Sequence, residues 1–209
     1  MIRFPSRRAV AAGSLALGFT TIANAHAQSA GADSMSIGSP SAPLHLAEYA
    51  SPACSHCAHF HATNWATLKT NYIDTGRVRL TLHEMLTAPP AVAFAMFQLA
   101  RCANADGPEY FRRLGILFER QATILSSPTL GAAVAALVSA GAEWGLSEAQ
   151  VMTGLNDNAG RERILRAIDE AEAQGVTSTP TFFLNGRRLE NNFQLPDILT
   201  RTLDAAASR

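Results

Sequence analysis

The chain has 209 residues, of which 47% are hydrophobic, and 17 basic residues balance 17 acidic ones. This is the composition of a soluble globular protein that is long enough to bury a core. No basic run with interleaved aromatic residues is present, so we expect no nucleic-acid partner. The sequence also has no Gly-rich phosphate loop, and we expect no cofactor.

The N-terminal segment has the features of an export signal. Arg3, Arg7 and Arg8 precede a mildly apolar run, and Ala25-His26-Ala27 is an A-x-A cleavage pattern. We therefore predict a signal peptide over residues 1–27, followed by a flexible leader over 28–40, and a periplasmic location. The adjacent arginines favour a twin-arginine signal, with an ordinary secretory signal as the alternative.

The next segment predicts a strand, a helix and a second strand. Residues 44–50, LHLAEYA, have the pattern of a buried strand. From Cys57 onward, apolar residues recur at helical spacing. Residues 77–83, RVRLTLH, alternate between apolar and polar side chains and predict the second strand.

Only helical patterns occur between residue 90 and about residue 174. We predict helices over 91–103, 108–121, 128–145 and 160–175, and a further helix that begins at Ser147 as N-cap. Strands return at 181–189, where Asn185-Gly186 predicts a hairpin turn, and residues 195–207 predict a closing helix. The order indicates one α/β domain, formed by residues 41–88 and 175–209, with an all-helical insertion over 89–174.

The stretch EYASPACSHCAHFH, residues 48–61, contains two of the three cysteines. A C-x-x-C motif between a strand and a helix places Cys54 at the helix N-terminus, where unsatisfied N–H groups favour a thiolate. Cys57 lies one turn further and can close a disulfide on Cys54. A partly protonated His56 imidazole would stabilise the thiolate further. We expect Cys54 to be the exposed, attacking sulfur, Cys57 the shielded, resolving one, and their disulfide an oxidant.

A second motif, far along the chain, supports the interpretation of the two cysteines as a thiol–disulfide exchange site. Thr179-Pro180 stands at the mouth of the strand that begins at residue 181, a position typical of a cis bond in a tight turn. Beside the sulfurs, it would offer exposed backbone to an incoming extended peptide.

With these two motifs, EYASPACSHC and QGVTSTPTFFLNGRRL, the chain resembles the DsbA-like thiol–disulfide oxidoreductases of the thioredoxin superfamily over about residues 40–205. The resemblance implies a thioredoxin-like fold with a helical insertion. It also implies that Cys54, Cys57 and Pro180 are catalytic. Thr179, and Ser55 of the Ser55-His56 dipeptide, would contact substrate. Glu48 occupies the position where the family often has a buried acid, and would relay protons to Cys57.

The expected function is donation of the Cys54–Cys57 disulfide to exported proteins with cysteine thiols. A membrane or periplasmic redox partner would reoxidise the pair, and we expect a monomer. A reductase or isomerase of the same fold is one alternative.

A periplasmic copper- or zinc-binding protein is the alternative from another class. Its candidate ligands would be Cys54, His56, Cys57, His59 and His61. No second cysteine pair accompanies them, so we expect no metal, and we expect His59 and His61 at the surface or in a groove.

Cys102 is the odd cysteine. It resembles one half of a second disulfide found in some relatives, whose other half would fall near residues 152–157. That segment has no cysteine. We therefore predict that Cys102 is a buried free thiol.

Overall fold

The computed structural model describes residues 34–208. The predicted signal peptide therefore lies outside the described residues. A five-stranded mixed sheet has the order β1-β3-β2-β4-β5, in which only the β2–β3 pair is parallel. The strands are β1 (Met35–Ile37), β2 (Leu44–Ala50), β3 (Val78–Glu84), β4 (Thr181–Leu184) and β5 (Arg187–Arg188).

Helices surround this sheet and fill the segment between its two halves. They are α1 (Ser55–Leu68), α2 (Pro90–Arg101), α3 (Gly107–Glu119), α4 (Gln121–Leu125), α5 (Leu130–Glu143), α6 (Glu148–Leu155), α7 (Asn158–Ala173) and α8 (Pro196–Ala207). The predicted α/β domain with an all-helical insertion is confirmed, although α4 was not predicted. Ser147 caps α6 in a capping box with Gln150, as expected from its side chain. Within residues 34–208, no helix is both long and apolar enough to span a membrane.

The two faces of β2 are covered by different helices because successive side chains point to opposite faces. Leu46 lies in the larger core with Phe60 of α1 and Leu199 of α8. Tyr49 lies in a smaller cluster with Ala171 of α7. The larger core continues without a break into the helical insertion, so both parts of the chain share one interior.

A buried carboxylate fastens the helical insertion to the end of β3. Glu84 is only 3% exposed and accepts hydrogen bonds from Arg101 Nε at 2.7 Å and from the Tyr110 hydroxyl at 2.9 Å. Arg101 ends α2 and Tyr110 belongs to α3, so one acid joins two insertion helices to the sheet. The paired charge and the hydrogen bonds offset the cost of its burial.

The expectation of a flexible leader over residues 28–40 is wrong for residues 35–37. These residues form β1, which pairs antiparallel with β3 in the register Ser36↔Thr81. The hydroxyl groups of Ser36 and Thr81 are also 2.8 Å apart. The segment is short and polar, so its strand conformation comes from pairing with a distant strand, which composition does not reveal.

Gly154 of α6 packs directly against the Cys102 sulfur, so a Cβ at position 154 would overlap with it. An alanine usually stabilises a helix relative to glycine by about 1 kcal/mol. We predict that Gly154→Ala lowers the free energy of unfolding instead. In a Cys102→Ala background, where the remaining contacts are ordinary, the same substitution should be neutral or stabilising. Denaturant unfolding of the four proteins measures this coupling.

Gly115→Ala in α3 is the matched control, since no heavy atom lies within 4 Å of the Cβ it would add. It should stabilise the protein by about 0.5–1 kcal/mol. A stabilising effect of Gly154→Ala in the presence of Cys102 would contradict the predicted overlap.

Candidate active site

The loop between β2 and α1 presents the two cysteines at the end of the sheet. Ser51 is fully buried, and its side-chain oxygen accepts hydrogen bonds from the Thr87 N–H at 3.2 Å and the Thr87 hydroxyl at 2.9 Å. Its carbonyl accepts from the Cys54 N–H at 3.0 Å. The loop is thus tied to the chain that follows β3, and Cys54 becomes the N-cap of α1.

A glutamine of the helical insertion holds the same loop from the other side. Gln121 Nε2, at the start of α4, donates to the carbonyl oxygens of Pro52 at 2.7 Å and Cys54 at 2.9 Å. Sequence reasoning missed Gln121, because no local pattern links a polar residue to a loop 67 positions earlier in the chain. Its amide satisfies loop carbonyl groups at a largely buried position.

The two sulfurs occupy different environments, as the sequence predicted. Cys54 is partly exposed, whereas Cys57 is fully buried, and both are free thiols. A hydrogen bond from the Cys57 thiol lowers the pKa of Cys54 to about 5, outweighing the effect of burial. The side chain of Thr179 and the backbone N–H groups of Cys57 and His56 make smaller contributions in the same direction. Burial, followed by the hydrogen bond to Cys54, raises the pKa of Cys57 far above its usual value. Cys54 is therefore the sulfur suited to exist as a thiolate.

The Thr179-Pro180 peptide bond is cis, as predicted, and lies against the sulfurs. Cys54 Sγ is 3.3 Å from the carbonyl oxygen of Thr179, to which the thiol donates. Pro180 is buried and Thr179 is partly exposed. The fold thus brings together two elements that are 125 residues apart in the chain.

Ser55 and His56 are both exposed in the first turn of α1. His56 lowers the pKa of Cys54 through its backbone N–H. The imidazole contribution that the sequence suggested is not among the causes of this shift. The position of Ser55 leaves its side chain available to a molecule that approaches Cys54.

Beneath the sulfurs, Glu48 is buried in contact with His61. Glu48 is 0% exposed, and His61 Nε2 lies 3.1 and 3.2 Å from its two carboxylate oxygens. The negative charge of Glu48 also contributes to the raised pKa of Cys57. The expectation that His61 lies at the surface or in a groove is wrong, because it is 7% exposed. Its i, i+4 spacing from Cys57 was the signal, since both residues then share the buried face of α1.

The residues suggested as metal ligands are dispersed in the structure. His56 and His59 are exposed, while His61 faces Glu48. Across residues 34–208, no group of three or more His, Cys, Asp or Glu side chains is placed to hold a metal ion. The arrangement of the two cysteines instead suits the exchange of disulfide bonds.

Cys102 lies in the helical insertion, directly after α2, with its sulfur packed against Gly154 of α6. It is 4% exposed, and burial raises its pKa. Within residues 152–157, Gly154 lies against the Cys102 sulfur, and a Cβ added at this position would overlap with that sulfur. The thiol is therefore free and buried, as predicted.

Comparisons with known proteins agree with this geometry. The family model described as thioredoxin matches residues 31–205. A Rickettsia typhi protein, provisionally named a protein-disulfide oxidoreductase, is 28% identical over 82% of this chain and 61% of its own length. A protein of Rickettsia prowazekii with the same provisional name is 28% identical over 75% of this chain and 56% of its own length. The chain thus spans less than two thirds of these relatives.

Solved structures share the fold. The α-DsbA1 protein of Wolbachia pipientis aligns with a TM-score of 0.73 at 22% identity, over 85% of this chain and 92% of its own. BdbD of Bacillus subtilis aligns with a TM-score of 0.72 at 15% identity, over 84% of this chain and 94% of its own. These similarities confirm the predicted thioredoxin-like fold with its helical insertion.

The pKa of Cys54 predicts how the reduced protein reacts with an alkylating reagent. Because the thiolate is the reactive species, the rate of Cys54 alkylation by iodoacetamide should rise with pH around a midpoint of about 5. Cys57→Ala removes the largest cause of the lowered pKa, so its midpoint should move upward by more than one pH unit. Mass spectrometry of the modified peptide measures both, and an unchanged midpoint would contradict the role of the Cys57 thiol.

Cys102 should react with a thiol probe only after denaturation, because it is buried and its pKa is raised. The native protein is first oxidised to protect the other two cysteines and is then treated with a maleimide. Labelling should become complete in guanidinium chloride. Rapid labelling under native conditions would show that the thiol is accessible.

Proposed function

The chain belongs to the thioredoxin family, and on that premise we propose that it is a thiol–disulfide oxidoreductase that passes its Cys54–Cys57 disulfide to cysteine thiols of other proteins. The observation that carries the proposal is the difference between the two sulfurs. A partly exposed sulfur with a pKa of about 5 can be attacked and can leave as a thiolate, while its buried neighbour is shielded from other partners.

The reaction begins when a substrate thiolate attacks Cys54 of the oxidised pair. A mixed disulfide forms, the Cys54–Cys57 bond breaks, and its electron pair stays on Cys57, which takes up one proton. A second substrate thiolate then attacks the substrate sulfur of the mixed disulfide. The substrate disulfide forms and Cys54 leaves as a thiolate, so two electrons have passed from the substrate to the protein.

The environment of Cys54 favours oxidation of the substrate as the direction of transfer. Stabilising the thiolate stabilises the reduced protein, which makes its disulfide a stronger oxidant. A reductase would need a reduced form that is less stable than the disulfide form. A reductase or isomerase is therefore the less favoured role. Return to the disulfide form requires an electron acceptor, which we propose to be a membrane or periplasmic redox partner.

Residues beside Cys54 suit contact with an extended peptide. Thr179 is partly exposed next to the sulfur, and the preceding Ser178 and the Ser55 side chain are exposed as well. An incoming chain could pair with the backbone before Pro180 while its cysteine meets Cys54. Under this proposal Thr179 and Ser55 contact substrate, and His56 borders the same surface.

Glu48 is proposed to supply the proton that Cys57 needs. The raised pKa of Cys57 means that its thiolate cannot persist in its buried position. Glu48 is the buried acid whose charge acts on Cys57, which supports a relay between them.

The proposed compartment is the periplasm. Disulfide donation needs an oxidising compartment, which agrees with the signal peptide predicted over residues 1–27. Exported proteins with free cysteines would then be the substrates.

The reduction potential of the Cys54–Cys57 pair tests the direction of transfer. Equilibration with glutathione buffers should give a value nearer to roughly −120 mV, which is typical of an oxidase of this kind, than to roughly −270 mV, which is typical of thioredoxin. Alkylation of the thiols followed by mass spectrometry gives the fraction of protein with a reduced Cys54–Cys57 pair at each ratio of reduced to oxidised glutathione. A potential near the lower value would instead support a reductase.

Substitution of each cysteine separates their roles. Cys54→Ser should abolish oxidation of a reduced, unfolded substrate protein. Cys57→Ser, supplied with the same substrate in its disulfide form, should accumulate a mixed disulfide at Cys54, because no second thiol is present to resolve it. Cys102→Ala is the matched control and should retain the wild-type rate, because Cys102 is buried in the helical insertion against α6. Exchange activity that survives Cys54→Ser would exclude the proposed mechanism.

A further inference from the structure

His61 forms a closer contact with the buried acid than any other described side chain. Its Nε2 lies 3.1 and 3.2 Å from the two carboxylate oxygens of Glu48, within hydrogen-bonding distance of both. His61 lies one turn after Cys57 on α1, and both side chains are buried in the same direction from the helix. Glu48 thus contacts His61 on one side, and its charge also acts on Cys57.

The three residues differ in their access to water. Cys57 and Glu48 are 0% exposed, whereas His61 is 7% exposed. Of the three residues, His61 is therefore the one with a surface that water reaches. Histidine is suited to relaying protons because its two ring nitrogens can carry a proton from one side to the other near neutral pH.

The surroundings of His61 hold the ring in place without competing for its proton. Phe118 of α3 stacks on it at 4.4 Å between ring centroids, and Trp65 stacks at 5.4 Å. Neither ring titrates. The other titratable residues at the start of α1, His56 and His59, are exposed.

Glu119 follows Phe118 on α3 and is exposed as well. Over residues 34–208, Glu48 is thus the one charged group that contacts His61.

From this geometry we propose that His61 is a positioning residue that carries the proton between water and Glu48 when the disulfide opens and closes. The inference rests on the proposed function and adds a specific route for its proton. When the Cys54–Cys57 bond breaks, the electron pair on Cys57 takes the proton held by the Glu48–His61 pair. His61 then takes one proton from water, and the reverse sequence releases it when the disulfide forms again.

His61→Gln tests this route, because glutamine can still donate a hydrogen bond to Glu48 but cannot carry a proton. The rate of disulfide opening by dithiothreitol is measured between pH 5 and 9 and divided by the concentration of the attacking thiolate. A positioned proton donor contributes about 10²–10⁴-fold, and water replaces part of it, so we expect a loss of about tenfold. The rate at which the Cys54–Cys57 disulfide forms again should fall by a similar factor.

The measurement specific for proton transfer is the dependence of this normalised rate on buffer concentration. In His61→Gln, added buffer acid should raise the normalised rate, whereas the wild type should be insensitive. His59→Gln, at an exposed position on the same helix, is the matched control and should behave as the wild type. A folded His61→Gln protein with the wild-type rate, or with slow exchange that buffer does not accelerate, would overturn the inference.

Glu48→Gln provides the same test if His61→Gln does not fold. It should show the same slow, buffer-dependent exchange, and wild-type behaviour would overturn the inference. Because the two residues act in series, the double variant should be no slower than the slower single variant. If the wild type exchanges no disulfides at all, the proposed function fails. If the wild type exchanges disulfides and Glu48→Gln is slow but His61→Gln matches the wild type, only the role of His61 fails.

Discussion

Two sulfurs one helical turn apart are held at opposite sides of the boundary between solvent and core, and the rest of the site depends on this separation. Cys57 cannot move outward, because it lies on the buried face of α1 with Phe60. Cys54 precedes the helix and remains partly exposed at its N-terminus. The helix end and the Cys57 thiol therefore stabilise charge on one sulfur, while burial denies it to the other.

The loop that leads into α1 keeps its position because hydrogen bonds from other parts of the fold hold it. Ser51 anchors the loop to the residues after β3, and Gln121 reaches from α4 to two of its carbonyl groups. The insertion thus contributes directly to the site, and Phe118 of α3 also stacks on His61. Glu84, with Arg101 and Tyr110, fixes the insertion to the sheet. An insertion anchored in this way can position the loop rather than merely cover it.

Buried charge is used sparingly, and each instance has a partner. Glu48 faces His61, and Glu84 faces Arg101. Isolated charges at these depths would be costly, whereas paired and hydrogen-bonded ones can be tolerated. The two acids differ in their surroundings. Glu84 joins structural elements, while the charge of Glu48 contributes to the raised pKa of Cys57.

The sequence by itself determined the order of the elements from β2 onward except α4, the positions of Cys54 and Cys57 and the cis bond at Pro180. These follow from local patterns: apolar periodicity, turn residues, and a C-x-x-C motif between a strand and a helix. Only the tertiary structure decided that residues 35–37 form an edge strand, that Gln121 supports the loop and that His61 turns inward to Glu48. Each of these depends on contacts between residues 13 to 69 positions apart. The i, i+4 spacing of Cys57 and His61 indicated the face of α1 that is buried, but the partner of a distant hydrogen bond leaves no local pattern, because the fold, not the neighbouring residues, supplies it.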